Sequence, residues 1–200
     1  MKFLVFFILC LVLLTGCNNN SSPINNENNY NTEQLSTNET ESFNIVPTEE
    51  TIASFSTKIL DKSSNRQNNI TIACNSLNGL VVKSGETFSF CNTLGPATPE
   101  DGYQKADTFD ADGNVIQEYG GGKCQVSSTL YNAVLAVPTL AVVERHEHSG
   151  KVYYVEENKD ACVSYGSCDF KFTNTNPFDI KLYFSNTDDS VNVSIVKISS

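Results

Sequence analysis

Tryptophan is missing from this chain of 200 residues, its single methionine is the initiator, and histidine occurs only twice, at His146 and His148. Any proton transfer by imidazole is therefore confined to Glu144-Arg145-His146-Glu147-His148-Ser149. Basic residues are scarce too: 13 Lys and Arg against 23 Asp and Glu leave a net charge of −10. Nucleic-acid binding needs clustered cations that release counterions, so no nucleic-acid partner is expected. The longest apolar run, the twelve residues Phe3–Leu14, rises only about 18 Å as a helix. A hydrocarbon core of roughly 30 Å is out of its reach. With 40% hydrophobic residues the chain can nevertheless build a globular core.

What is there begins with an address. Lys2 ahead of the apolar run reads as a secretory signal peptide, and Leu14-Thr15-Gly16-Cys17 resembles the bacterial lipobox. Residues 1–16 are then the signal and Cys17 the lipidated N-terminus. This predicts a protein lipid-anchored on the outer face of the cytoplasmic membrane, in a Gram-positive cell. Residues 17–50 follow as a tether. Ten asparagines fall within 18–46, with six acidic residues and no Lys or Arg over 18–50. Such a stretch buries too little to offset its ordering entropy, and it would reach about 30 Å as a flexible chain.

The folded unit is expected over 51–200 as a single domain. Its class is α+β: two main helices with a largely antiparallel β-sheet. Ile70, Ala73 and Leu77 recur at helical spacing before Asn78-Gly79, predicting a helix over 66–77. Val126, Leu130, Val134 and Val137 predict a second helix of about thirteen residues, stopped by Pro138. Strands are expected at 51–59, 80–82, 87–90, 140–144, 152–155, 161–165, 170–173, 180–185 and 191–198. Asp112-Gly113-Asn114 marks a hairpin, and 91–102 a loop.

Two of the seven cysteines, Cys10 and Cys17, belong to the address. Cys74, Cys91, Cys124, Cys162 and Cys168 remain, an odd number in a compartment where disulfides persist. Cys162 and Cys168 are close enough for a local bridge, and Cys74 with Cys91 is the second candidate pair. Cys124 is then the thiol left over. It follows Gly120-Gly121-Gly122-Lys123 at the start of the second helix, where the dipole and free N–H groups favour thiolate. The same N–H groups, with Gly121, Gly122, Gln125 and Ser127 as substrate or oxyanion contacts, would stabilise a tetrahedral intermediate. His146 or His148 would act as base, on one face if the segment is a strand, and Asp160 would orient the imidazole. Three other readings stay open. Cys124 could be a packed core residue, or, with His146 and His148, a three-ligand zinc set; otherwise no cofactor is expected. The chain could also be a non-catalytic module presenting Tyr103, Tyr119, Tyr131 and the Gly-rich loop to cell-wall peptide or an envelope protein. No Gly-Lys-Ser/Thr follows the glycines, so a phosphate loop is excluded.

Arg66, Asn69-Ile70, Leu77-Asn78-Gly79, Gly85-Glu86, Phe88-Ser89-Phe90, Gly120 through Ala133, Glu144 through Ser149, Asp160-Ala161 and Tyr165-Gly166 occur in the order of the VanW-like family. The chain resembles that family over about 66–175. The resemblance implies an extracytoplasmic protein of Gram-positive bacteria, in a family named after an accessory protein of glycopeptide (vancomycin) resistance. It implies no settled reaction. Thiol-dependent acyl transfer or hydrolysis on peptidoglycan-type peptides is the expected chemistry. Against the family pattern, Ser84 stands for Pro and Lys123 for an aliphatic residue. Cys74, Cys91, Cys162 and Cys168 are additions, an even number that suits two disulfides and leaves Cys124 as the family-type thiol.

Overall fold

A computed structural model describes residues 48–199. The expected signal peptide 1–16, the expected lipidation site Cys17 and the expected tether up to residue 47 lie outside the described residues. Among the described residues no helix is long and apolar enough to cross a membrane.

Among the described residues nine strands and three helices follow one another as β1 (Thr48–Lys58), α1 (Ser64–Leu77), β2 (Leu80–Val82), β3 (Thr87–Ser89), α2 (Phe90–Leu94), β4 (Lys105–Phe109), β5 (Val115–Tyr119), α3 (Lys123–Leu135), β6 (Leu140–Glu144), β7 (Lys171–Asn174), β8 (Ile180–Asn186) and β9 (Ser190–Ser199). They form a four-stranded sheet β1-β9-β8-β2, a three-stranded sheet β3-β7-β6 and the hairpin β4-β5, all antiparallel. The fold is α+β, as the periodicities predict. Strand β1 starts at Thr48, which pairs with Ser199, so the sheet reaches three residues into the expected tether.

Strand β9 supplies alternate buried residues, Val191, Val193 and Ile195, and β8 supplies Ile180, Leu182 and Phe184. Period-2 burial of this kind leaves the other face to water. On the buried face lie α1, through Ile70, Ala73 and Leu77, and α3, through Val126, Leu130, Ala133 and Val134. Burying one such aliphatic side chain contributes about 1.5–3 kcal/mol, and the apolar stripe of α3 thereby holds the helix, and Cys124 with it, against the sheet.

Three expectations need correction. Residues 90–94 form the short helix α2 instead of loop, because Ser89 Oγ accepts the Asn92 N–H and opens a turn. Residues 152–155 are not a strand, and 161–165 contribute only a bridge between Ser164 and Cys168. The apolar residues of that second segment are buried by side-chain contacts from α3 and not by a ladder. Lastly, all five cysteines are free thiols. Cys162 and Cys168 stand adjacent, sulfur to sulfur 4.0 Å, without a bond. Cys91 turns to the Cys168 carbonyl oxygen (3.3 Å) instead of Cys74.

The loop before α3 shows why glycine is required there. Gly122, the residue that opens the helix, has φ +113°, which L side chains rarely adopt. At Gly121 the backbone of β4 comes so close that an added Cβ would meet the Ala106 carbonyl oxygen at 2.6 Å. Backbone cannot give way as a flexible side chain does. Gly121→Ala is therefore expected to destabilise the domain by roughly 1–3 kcal/mol; an unchanged midpoint in urea unfolding would show that the loop is not so constrained.

Candidate active site

The site is built where α3 begins. Gly122 offers no capping side chain and the first turn carries no acidic residue; the Lys123 and Gln125 N–H groups bond back to the Gly120 and Gly122 carbonyl oxygens (3.0 Å each), which leaves the Cys124 N–H without a partner among the described residues. Asn69, fully buried on α1, donates through Nδ2 to the carbonyl oxygens of Gln104 (2.8 Å) and Gly121 (3.0 Å) and accepts the Gln104 N–H (2.8 Å). It ties the glycine loop to α1.

Two successive serines of α3 clamp a distant segment. Ser127 Oγ donates to the Ala161 carbonyl oxygen (2.5 Å), and Ser128 Oγ accepts the Ala161 N–H (2.9 Å) while donating to the Cys124 carbonyl oxygen (2.7 Å). Ala161 is thus fixed against the helix, with Asp160 on one side and Cys162 on the other. Val163, two residues on, donates its N–H to Cys124 Sγ at 3.4 Å.

Asp160 is the hub of the polar network. Its Oδ2 accepts both the backbone N–H of His148 (2.8 Å) and Nδ1 of the same residue (2.6 Å). Its Oδ1 accepts from Arg145 Nη2 (2.7 Å), while Arg145 Nε donates to its backbone carbonyl (2.6 Å). With Nδ1 occupied, Nε2 of His148 is left for the sulfur. One ligand atom from each of Cys124, His148 and Cys162 lies within 4.8 Å of the others. The His148 side chain is only 6% exposed.

Charge follows this geometry. Hydrogen bonding from the Cys162 thiol, then from His148, and the charge of His148 hold the Cys124 thiol well below its ordinary value, against the opposing effect of burial. The Cys162 thiol is pushed up because it donates to Cys124 and is itself buried. Burial would lower His148, but the Cys124 thiolate and the Asp160 carboxylate outweigh it and raise its pKa. Both shifts favour the thiolate–imidazolium form of the pair.

Around the thiol opens a cavity of about 270 Å³, lined by Gly121, Cys124, His148, Cys162 and Val163, with Tyr119 and Tyr165 exposed at its walls. The Cys124 N–H, without a partner among the described residues, is the candidate oxyanion donor for a carbonyl attacked at the sulfur.

The predicted residues separate accordingly. Cys124, His148 and Asp160 come together. His146 does not: β6 ends at Glu144 after a register shift beyond Val142, so no strand carries both imidazoles to one face. His146 Nε2 instead meets Glu144 Oε1 at 2.9 Å, with 44% of its side chain exposed. The zinc set Cys124, His146 and His148 is corrected with it; among the described residues the three donors that could hold such an ion are Cys124, His148 and Cys162, a combination zinc accepts. Gln125 is buried on the far side, donating to Thr57 Oγ1 (3.1 Å) and the Lys58 carbonyl (3.0 Å), and Ser127 belongs to the Ala161 clamp. Neither faces the thiol. Of the proposed binding tyrosines, Tyr103 is 3% exposed and Tyr131 packs on Phe170, which leaves Tyr119 at the cavity. Cys162, Ser128, Asn69 and Arg145 escaped sequence reasoning. His146→Ala is expected to leave Cys124 alkylation unchanged within about twofold and stability within about 0.5 kcal/mol, as an exposed pair contributes little. A tenfold slower alkylation would place His146 in the site after all.

Fold and site define an α+β domain with a cysteine, a histidine and an aspartate converging at a helix start. Residues 65–196 match the family described as "VanW like protein", and the chain belongs to this VanW-like family. It is 41% identical over 109 residues to the uncharacterized protein YoaR of Bacillus subtilis, covering 54% of this chain and 35% of that protein. It is 32% identical over 133 residues to the vancomycin B-type resistance protein VanW of Enterococcus faecalis, covering 64% of this chain and 47% of that one. The chain thus spans about a third to a half of the length of these relatives. No solved structure matches it.

Proposed function

We propose that the domain is a thiol acyl transferase or hydrolase acting on peptides of the peptidoglycan type. The observation that carries this reading is the alignment of a helix-start thiolate, Cys124, with His148, whose far nitrogen is held by Asp160. Cys124 Sγ attacks the carbonyl carbon, forming a C–S bond. As the C–N bond breaks, the leaving amine takes the proton of His148. Water, or the amine of a second peptide, then attacks the thioester carbon and gives its proton to His148, and the C–S bond breaks to return the Cys124 thiolate. The relative named as a vancomycin B-type resistance protein supports a role connected with vancomycin resistance. The lipobox-like Leu14-Thr15-Gly16-Cys17 supports an anchor on the outer face of the cytoplasmic membrane. Non-catalytic recognition of wall peptide or of an envelope partner is the competing class.

Incubation of the full chain with muropeptides, quenched with acid and analysed by mass spectrometry, tests the reading. The expected product is an acyl adduct on Cys124, absent from Cys124→Ala; muropeptides left intact with no adduct would overturn it. The cluster Cys124, His148 and Cys162 favours one second reading, a zinc site. In that case the purified chain carries stoichiometric metal and Cys124 alkylates only after chelation.

A further inference from the structure

Five free thiols occur among the described residues, and three of them gather at one place. Cys124 Sγ and Cys162 Sγ lie within 4.8 Å of each other and of a His148 ring nitrogen. Cys168 Sγ stands 4.0 Å from Cys162 Sγ. The other two are held apart from this group. Cys74 is buried, and Cys91 is buried with its thiol turned to the Cys168 carbonyl oxygen.

The backbone keeps Cys124 and Cys162 side by side. Ala161 and Val163 flank Cys162, and both are tied to the start of α3: Ala161 through Ser127 and Ser128, and Val163 through its N–H to Cys124 Sγ at 3.4 Å. The Cys162 N–H donates to the His146 carbonyl oxygen at 2.8 Å. Two segments already fastened together thus carry the two sulfurs. A disulfide of about 2.05 Å requires them to close by less than about 3 Å, which side-chain rotation covers. Both also line the cavity of about 270 Å³, whereas Cys168 stands outside its lining. Acyl transfer uses Cys162 only as a hydrogen-bond donor, and a hydroxyl would serve as well. What a thiol adds beside a reactive thiol is the capacity to capture it once oxidised.

We infer that Cys124 and Cys162 form an oxidisable dithiol, which a hydroperoxide converts to a disulfide that closes the nucleophile reversibly. The Cys124 thiolate attacks the outer peroxide oxygen; an S–O bond forms, the O–O bond breaks, and the departing oxygen takes the proton of His148. The sulfur gives up two electrons and the peroxide is reduced. Cys162 Sγ then attacks Cys124 Sγ; the S–S bond forms, the S–O bond breaks, and the leaving hydroxide takes the Cys162 proton as water. Two thiols and one hydrogen peroxide become one disulfide and two waters. Oxidation begins at the sulfur that faces both the cavity and His148, so the first bond joins Cys124 to Cys162 and does not need Cys168. This goes beyond acyl transfer and holds equally for a chain that leaves peptides untouched, because it asks only for a reactive Cys124.

The test oxidises the purified full chain with hydrogen peroxide in the presence of a chelator, blocks the thiols left over with N-ethylmaleimide and maps the peptides by mass spectrometry. The expected product is a Cys124–Cys162 linked peptide, with Cys124 alkylation lowered at least about tenfold and restored by dithiothreitol. Cys168→Ser forms the same link at a rate within about twofold. Cys162→Ser keeps a donor beside Cys124 but ends in sulfinic acid on Cys124, and dithiothreitol no longer restores alkylation. A Cys162–Cys168 bond with Cys124 left as a thiol overturns the inference, as does a Cys124 that peroxide leaves unchanged, or sulfinic acid forming on it equally fast with and without Cys162. The linked peptide is read in the unsubstituted chain, so a variant that fails to fold leaves that result standing. Failure of acyl transfer registers separately, as a missing muropeptide adduct in a chain that still forms the link.

Discussion

His148→Ala is expected to move the pH dependence of Cys124 alkylation upward and to lower peptide turnover by about 10³–10⁴-fold. In the native site the thiolate is stabilised by donors from Cys162 and His148 and by the charge of His148, which together exceed the effect of burial. The alkylation rate should therefore rise through a midpoint well below the free-thiol value of about 8.5. Turnover needs the imidazolium as well, so it should fall again as His148 loses its proton. That upper limb lies above the ordinary histidine range, because the thiolate and Asp160 raise His148 more than burial lowers it. The expected profile is a bell whose two limbs are apparent pKa values of the coupled Cys124–His148 pair. Without the imidazole the acid limb moves toward or above the free-thiol value and the alkaline limb disappears. Iodoacetamide kinetics with peptide mapping measures the first limb, and muropeptide release measures the second. A limb that stays in place after His148→Ala would refute the ion pair.

The helices of this site were legible in the sequence because their apolar spacing is self-contained: Ile70, Ala73 and Leu77, or Val126, Leu130 and Val134, need no partner to be recognised. The strands of the outer sheet were legible for the same reason, through the alternation of Val191, Val193 and Ile195. Cys124, His148 and Asp160 could be nominated as residue types in a plausible chain order. Choosing between the two histidines could not be done from spacing. The assumption of a continuous strand through His148 fails where β6 ends at Glu144, and that ending depends on a register shift against β7. The segment around Ala161 looked like a strand because its residues are buried, yet it is held by Ser127 and Ser128, residues whose role depends on what faces them across the fold. From spacing alone Cys162 reads as half of a disulfide with Cys168. Its sulfur is 4.0 Å from that partner and also beside Cys124, a proximity that no count of cysteines reveals.

Asp160→Asn should separate orientation from charge at the same site, at a cost to both rate and stability. The side chain keeps its shape, but the network needs two acceptor oxygens: Oδ1 takes Arg145, and Oδ2 takes the N–H and Nδ1 of His148. An amide supplies one acceptor and one donor group, so either Arg145 or His148 meets a donor in place of an oxygen. Arg145, 15% exposed, would lose its buried carboxylate partner but keep Glu147 at 2.7 Å. The cost therefore lies below the roughly 3–5 kcal/mol of a buried ion left with no partner. Burial alone would raise the Asp160 carboxyl, but hydrogen bonds from the His148 backbone and ring and the charge of His148 hold it below its ordinary value. A group depressed in this way contributes stability above its unfolded pKa and loses it as pH falls through the folded one. The native domain should therefore weaken in acid through this carboxyl, and Asp160→Asn should start lower and lack that part of the slope. Turnover should fall by about 10³–10⁴, because the imidazole is no longer held with Nε2 toward the sulfur. Urea midpoints from pH 3 to 7 and muropeptide turnover read the two effects independently. Full activity in a destabilised Asp160→Asn chain would make Asp160 a structural residue and leave Cys124 and His148 to act as a pair.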